Sequence, residues 1–207
     1  MQHDSSLILK DLVLIGGGHS HVEVLKKFAM APLPGVRITM VARDLHTPYS
    51  GMLPGLVAGL YDFEDAHVDL RPLCQFAGAT LIHDEAVGLD LNKQQDLCAA
   101  RPALDFDVLS INIGPRQATQ SVPGASEFAT AVKPINRFMA SWAKITERVL
   151  AYPGRYRIGV FGAGAPGVQV IISMQHRLTA LLTQQDRGRS AVQCTSVRTS
   201  SVVLARV

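Results

Sequence analysis

An α/β fold of two domains is what this sequence predicts, and two glycine-rich turns predict it. Leu12-Val13-Leu14-Ile15, an apolar strand, runs straight into Gly16-Gly17-Gly18-His19-Ser20-His21. Ile158-Gly159-Val160-Phe161 runs in the same way into Gly162-Ala163-Gly164-Ala165-Pro166-Gly167. Apolar residues at helical spacing follow both turns. A strand that turns through glycines into a helix aims backbone N–H groups and the positive helix end at one point, which suits a pyrophosphate. Two such turns point to two Rossmann-like, three-layer domains, each holding a dinucleotide.

The elements follow in order. Leu7 to Ile15 reads as a strand with Lys10 and Asp11 as a polar break, and Ser20 to Met30 as a helix with Val22, Val24, Leu25 and Phe28 on one side. Pro32, Pro34 and Gly35 end that helix, and Val36 to Val41 is rich in β-formers. This β–α–β opening is the unit of a parallel sheet. Thr47 to Leu60, rich in Gly and Pro, reads as an irregular segment leading into a short helix. Asp69 to Ala77 is a helix that Asp69 caps and Gly78 ends. Thr80 to Ile82, Ala86 to Leu91, Asp96 to Ala100 and Phe106 to Ile113 read as strands, with Asn92-Lys93-Gln94-Gln95 as a polar turn. After a turn at Ser121 to Ala125, the residues Ile135, Phe138, Met139, Trp142, Ile145 and Val149 mark an amphipathic helix from Pro134 to Leu150. The second β–α unit starts at Tyr156, its helix running from about Ala165 to Leu182. A polar loop and strand-like pieces at Ala191 to Val197 and Ser201 to Leu204 complete the chain.

Composition narrows the function classes. The 207 residues are 47% hydrophobic and 18% charged, enough apolar content for a buried core. The net charge of +3 comes from scattered Lys and Arg, with no basic tract that would suit nucleic acid. The polar start at Gln2, His3 and Asp4 is not a signal peptide, and no apolar run approaches the ~20 residues of a membrane span. A cytoplasmic protein is expected. Cys74, Cys98 and Cys194 lie far apart with no C-x-x-C, so neither a local redox disulfide nor a zinc pattern is present.

Each motif also has a plainer reading. In the first turn Gly16 permits the tight bend, Gly18 permits close approach of a phosphate, and His21 stands at the third glycine position. The alternative is an ordinary β–α turn. The acid that would hold a ribose is expected at the end of the second strand, where Ala42 stands and Asp44 comes two residues later. His19 and His21 do not suit a metal, because i and i+2 point to different faces of a helix. The second turn has all its glycines, Gly162, Gly164 and Gly167. No acid follows at its next strand end, while Arg187, Arg189 and Arg198 do, a hint of NADP. Ser50 and Ser110 lack a G-x-S-x-G frame, and Asp62, Glu64 and Asp65 read as a solvated face. No catalytic side chain is identified.

These segments, together with Tyr49-Ser50-Gly51-Met52-Leu53-Pro54-Gly55, Val108 to Gly114 and Val132-Lys133-Pro134, resemble the FAD-dependent pyridine nucleotide–disulfide oxidoreductase superfamily. Within it the likeness is to the branch related to type II NADH dehydrogenases and to the module fused ahead of selenide, water dikinase. The resemblance covers about residues 10 to 185. It implies an FAD-binding domain (1–125), a connecting segment with an amphipathic helix (126–155), and an NAD(P)H-binding domain (156–207) inserted into the first. Gly16, Gly18, His19 and Ser20 would hold the FAD pyrophosphate. Tyr49, Ser50, Gly51 and Met52 would run near the flavin, and Ile113 and Gly114 would close over it. Gly162, Gly164 and Gly167 would hold NAD(P)H. The implied reaction passes a hydride from nicotinamide to flavin, and electrons leave to a small-molecule acceptor such as a quinone, since no cysteine pair is there to take them.

Gln169 stands where the superfamily usually has Glu, and Pro115 replaces a small polar residue. No segment returning to the first domain is seen, so the second domain is expected to be incomplete and the chain truncated. That raises an alternative: a nucleotide-binding relative without activity. Unfilled surfaces would also favour a homo-oligomer or other association. A pure interaction module has little to support it.

Overall fold

The computed structural model describes residues 7–114, 123–162, 164–197 and 203–206. Two compact units result, one of Met1–Thr47 with His67–Gly114, the other of Pro48–Ala66 with Pro115–Val207.

The first unit starts with β1 (Lys10–Ile15), α1 (His19–Met30), β2 (Val36–Ala42) and the short β3 (His46–Pro48). The chain then enters the second unit as α2 (Leu53–Ala58) and α3 (Phe63–Ala66). It returns as β4 (His67–Asp69), which pairs with β3, then α4 (Leu70–Phe76) and β5 (Thr80–His83). A meander of β6 (Ala86–Asp90), β7 (Gln95–Cys98) and β8 (Leu104–Asp105) leads to β9 (Val108–Ile111). Strands β5, β2, β1 and β9 form one parallel sheet in that order. The chain works outward from β1 through β2 to β5, then crosses to the other side of β1. The direction of travel therefore reverses between β1 and β9, and in open parallel sheets ligands bind at the strand ends of such a reversal.

Strand alternation sorts the core into two layers. Leu14, Ile38 and Met40 face Leu25 of α1 and Leu70 and Cys74 of α4. Val13, Ile15, Val41 and Ile82 face the opposite way, against Ala86, Cys98 and Leu104 of the meander and Phe106 and Leu109. Helices thus cover one face and an antiparallel sheet the other. The expected strand over Leu7 to Leu9 does not form; these three residues are exposed, though the Leu9 N–H bonds to the Gly35 carbonyl at 2.8 Å. Asp69 caps α4 as anticipated, its carboxylate accepting from the Arg71 N–H at 2.9 Å, and Gly78 ends the helix at φ +64°. The Arg71 side chain, then its backbone N–H, hold the Asp69 carboxyl down to about 2.

The meander buries a carboxyl. Asp96 is fully buried; among the described residues its Oδ1 has no hydrogen-bond partner, and its Oδ2 receives the Cys98 thiol at 3.8 Å. Burial pushes its pKa up from the ordinary value. A raised native pKa means the folded chain holds this proton more tightly than the unfolded one. Its contribution to stability is full below the ordinary carboxyl range and is lost as pH rises through the native pKa. Asp96→Leu is expected to remove that dependence and to gain about 1–3 kcal/mol at neutral pH. Urea denaturation of both proteins from pH 4 to 8 checks this, and equal stability at neutral pH would contradict it.

The second unit adds α5 (Ala125–Phe128), β10 (Ala129–Ala131), α6 (Ile135–Ala151), β11 (Tyr156–Phe161), α7 (Ala165–Thr183), β12 (Val192–Val197) and β13 (Val203–Arg206). Its sheet runs β10-β13-β11-β12, with β11 and β12 parallel across α7 and β13 antiparallel to both its neighbours. The two glycine turns therefore leave strands of different sheets, as the sequence predicts. One core joins Leu53 and Val57 of α2, Phe138, Trp142 and Val149 of α6, Ile158 and Val160 of β11, and Met174 and Leu178 of α7. Within 126–155 the apolar stripe of α6 fills this core, and residues 53–58 pack in it too.

Candidate functional site

The first turn is shaped by steric demand. Gly16 sits at φ +90°, donates its N–H to the Val41 carbonyl at 2.8 Å, and would place a Cβ 2.8 Å from the Asn112 carbonyl carbon. A Cβ on Gly17 would lie 2.6 Å from Leu70 Cδ1. One on Gly18 would overlap the Asn112 side-chain amide. Asn112 stands just past β9, its N–H bonded to the Ile15 carbonyl at 2.8 Å and its carbonyl to the Gly18 N–H at 3.1 Å. Gly18 then opens α1, whose first turn carries no acid. The result is a positive helix end at the point where the sheet reverses.

His21 explains how this turn does without its third glycine. The side chain is 1% exposed and ties three pieces together. Nδ1 lies 2.6 Å from the Gly16 carbonyl and Nε2 2.9 Å from Ser110 Oγ on β9. A carbonyl only accepts, so Nδ1 carries the proton and Nε2 accepts from the Ser110 hydroxyl. Burial lowers the His21 pKa from the ordinary 6.5, outweighing the Gly16 bond that raises it. A lowered native pKa means stability is full above the unfolded value and is lost as pH falls below about 6.5 toward the native one. We expect denaturation from pH 8 to 5 to show this loss in the wild type and not in His21→Asn, whatever the variant's absolute stability. Parallel pH curves would contradict it.

The remaining predicted residues are placed as follows. His19 and Ser20 are exposed in the first turn of α1; Ile113 and Gly114 are exposed beyond Asn112, with Gly114 at φ +71°. Tyr49, Ser50, Gly51 and Met52 belong to the second unit, in a single 3-10 turn ahead of α2, where the Tyr49 N–H bonds to the Ala66 carbonyl at 2.8 Å. At the end of β2, Ala42 is buried, and Arg43 gathers the carboxylates of Asp44 at 2.9 Å and Glu85 at 3.6 Å. Glu85 and Asn112 were not singled out from sequence; both arrive from later strands.

The second turn is more open. Gly162 takes φ +124°, Gly164 caps α7 with ordinary backbone angles, and Gly167 is buried in the helix. A Cβ on Gly164 would meet only Pro166 Cδ, at 3.8 Å, among the described residues. Ala163 lies outside those residues. Gln169 is exposed on α7. The Arg187 guanidinium donates to the carbonyls of Leu150 at 3.0 Å, Tyr152 at 2.6 Å and Gly154 at 3.2 Å, closing the end of α6. The Arg189 side chain and Arg198 lie outside the described residues. Cys74, Cys98 and Cys194 are free thiols, each pushed up to about 11 chiefly by burial, so none is a ready thiolate at neutral pH.

No protein-family model matches the chain. It is 24% identical over 201 residues to the NADH dehydrogenase-like protein YutJ of Bacillus subtilis (strain 168), covering 94% of this chain and 54% of that protein. It is 25% identical over 159 residues to the sulfide-quinone reductase of Aquifex aeolicus (strain VF5), covering 77% of this chain and 35% of that one. The crystal structure of the Aquifex aeolicus sulfide:quinone oxidoreductase superposes with a TM-score of 0.66 at 23% identity, over 91% of this chain and 43% of the other. The chain has the fold of the pyridine nucleotide–disulfide oxidoreductases. NDH2 of Plasmodium falciparum in complex with NADH carries that fold too, at a TM-score of 0.75 and 15% identity over 90% of this chain and 41% of that one. The chain spans about half or less of the length of each of these proteins. No helix among the described residues is long and apolar enough to cross a membrane.

Proposed function

We propose that this chain is the dinucleotide-binding part of an FAD-dependent NAD(P)H oxidoreductase. In this reading the first turn holds FAD and the second NAD(P)H, within domains assigned to residues 1–125 and 156–207. The observation that carries it is the first turn, where the Asn112 backbone and a positive φ exclude a Cβ at Gly16, and Leu70 and the Asn112 side chain crowd Gly17 and Gly18, beneath a positive helix end at the sheet reversal. Flavin, when bound, supplies the hydride-accepting chemistry. The chain's own part is to position it. Gly16 and Gly18, with His19 and Ser20, hold the pyrophosphate, and Ile113 and Gly114 border it. Tyr49, Ser50, Gly51 and Met52 are assigned to the flavin's surroundings. Gly162, Gly164 and Gly167 hold the nicotinamide dinucleotide. Likeness to a sulfide-quinone reductase supports a quinone as the electron acceptor, and three protonated, separated thiols argue against an exit through a protein disulfide.

The test is the flavin-to-protein ratio together with NADH- and NADPH-driven dye reduction. It is run on the chain alone and with the C-terminal half of a longer relative added in trans. The expected result is weak FAD binding and slow dye reduction alone, both rising on complementation. A chain that takes up no FAD in either state would overturn the reading. The second reading is nucleotide binding without turnover. FAD uptake with no dye reduction even after complementation would select it.

A further inference from the structure

We propose that the exposed face of α6 docks an acidic helix of a partner protein, with carboxylates of that helix paired to Arg137, Lys144 and Arg148. The inference stands apart from the reading of the glycine turns and begins from charge. The second unit holds 12 Lys and Arg against 6 Asp and Glu, a net of +6; the first holds 8 against 11, a net of −3. Pairing divides the same way. In the first unit Lys10 pairs with Asp107, Arg37 with Asp11, Arg43 with Asp44 and Glu85, Arg71 with Asp69, and Arg101 with Asp84. In the second, the side chains of Arg137, Lys144 and Arg148 are exposed and have no ion pair among the described residues.

The helix aligns these three cations. They stand at i, i+7 and i+11, within about 40° of one another around the axis and along about 16 Å of its length. Phe138, Trp142 and Val149 are buried in the core of the unit and fix which side of α6 faces out. Beside the cations that side carries Ala140, Ala143 and Ala151, all exposed and small enough for a second helix to approach closely. Glu147, the one acid of α6, stands about 80° round the axis from the cations, across the alanines. The spacing selects the partner, because a second helix repeats it. Asp or Glu at the same intervals meets all three cations, and the Arg forks pair carboxylates bidentately. Lipid fits less well, since no large apolar side chain of α6 is exposed to anchor in a bilayer. Nucleic acid fits less well too, since no aromatic of α6 is exposed to stack on a base and three phosphate contacts hold little at physiological salt.

The probe is a fluorescein-labelled, Ala-rich helical peptide with Glu at i, i+7 and i+11. A second peptide of the same composition spreads its Glu residues to different sides of the helix. Fluorescence anisotropy reads the binding of each to the full chain at low and at high salt. The matched peptide is expected to bind about 10-fold tighter than the spread one, and more weakly at high salt. Replacing Arg137, Lys144 and Arg148 together by Gln removes three exposed pairs and should weaken it about 10-fold. Replacing Arg155 and Arg157 by Gln removes exposed cations of the same unit away from the stripe and should leave the affinity unchanged. Circular dichroism checks that each variant is folded; should the triple variant not fold, Lys144→Gln alone is read, with a loss of about 2-fold. Equal affinity for the two peptides, no binding of either at low salt, or equal weakening by the Arg155 and Arg157 replacements overturns the inference. So does tighter binding of duplex DNA, or of phosphatidylcholine vesicles containing phosphatidylserine, than of the matched peptide.

Discussion

Gly164→Asp is expected to make the protein more stable and unable to hold NAD(P)H. The two effects share one cause. Gly164 is the N-cap of α7, at φ −72° and ψ 168°, where any residue is allowed. It has no steric neighbour closer than Pro166 Cδ at 3.8 Å among the described residues. An aspartate there accepts from the free N–H groups of the first helical turn and meets the positive helix end, a gain of about 0.5–1 kcal/mol. The same carboxylate takes the place proposed for a pyrophosphate and repels it, weakening NADH and NADPH by about 100-fold or more. Urea denaturation followed by Trp142, the single tryptophan, which is buried in this unit's core, reads the stability. NADH titration reads the affinity. Higher stability with unchanged NADH binding would show the second turn to be an ordinary β–α turn.

At the first turn the expected effect has the opposite sign. Gly16→Ala should cost about 3 kcal/mol. The φ of +90° disfavours any side chain, and the new methyl would lie 2.8 Å from the Asn112 carbonyl carbon and 2.9 Å from Ile113 Cγ2. The Asn112 backbone cannot move easily, since it is bonded to Ile15 and to Gly18. Gly114→Ala is the control. It also has positive φ, +71°, but nothing stands within 4 Å of its Cβ position among the described residues, so only the strain of about 1–2 kcal/mol applies. Chemical denaturation of both variants by far-UV circular dichroism separates strain from overlap. Equal losses would mean the packing of Asn112 against the turn contributes nothing.

The contrast between the turns shows what the sequence could and could not reveal. Both strand–turn–helix units were legible because their signals are local. Alternation in Leu12 to Ile15 sets two faces of a strand, and Asp69 and Gly78 mark the ends of a helix by their own side-chain chemistry. Packing partners distant in the chain were not legible. Nothing near Gly18 announces that Asn112 will lie against it, and nothing near His21 announces Ser110. The apolar spacing of α6 marks an amphipathic helix, but periodicity says only that a face will be buried, not against what; Phe138 and Trp142 share their core with β11 and α7. Arg187 shows the same limit. An arginine after a nucleotide turn suits a phosphate by type, and nothing nearby in the sequence announces that backbone carbonyls at the end of α6 accept from it.

The central claim is that one chain carries two separate dinucleotide sites, one at each turn. Simultaneous titration with FAD and NADH, by equilibrium dialysis of wild type, Gly164→Asp and Gly18→Asp, tests it most directly. The account predicts that each ligand binds without displacing the other, that Gly164→Asp loses NADH alone, and that Gly18→Asp loses FAD alone. Mutual displacement, or loss of both ligands from either single variant, would contradict it.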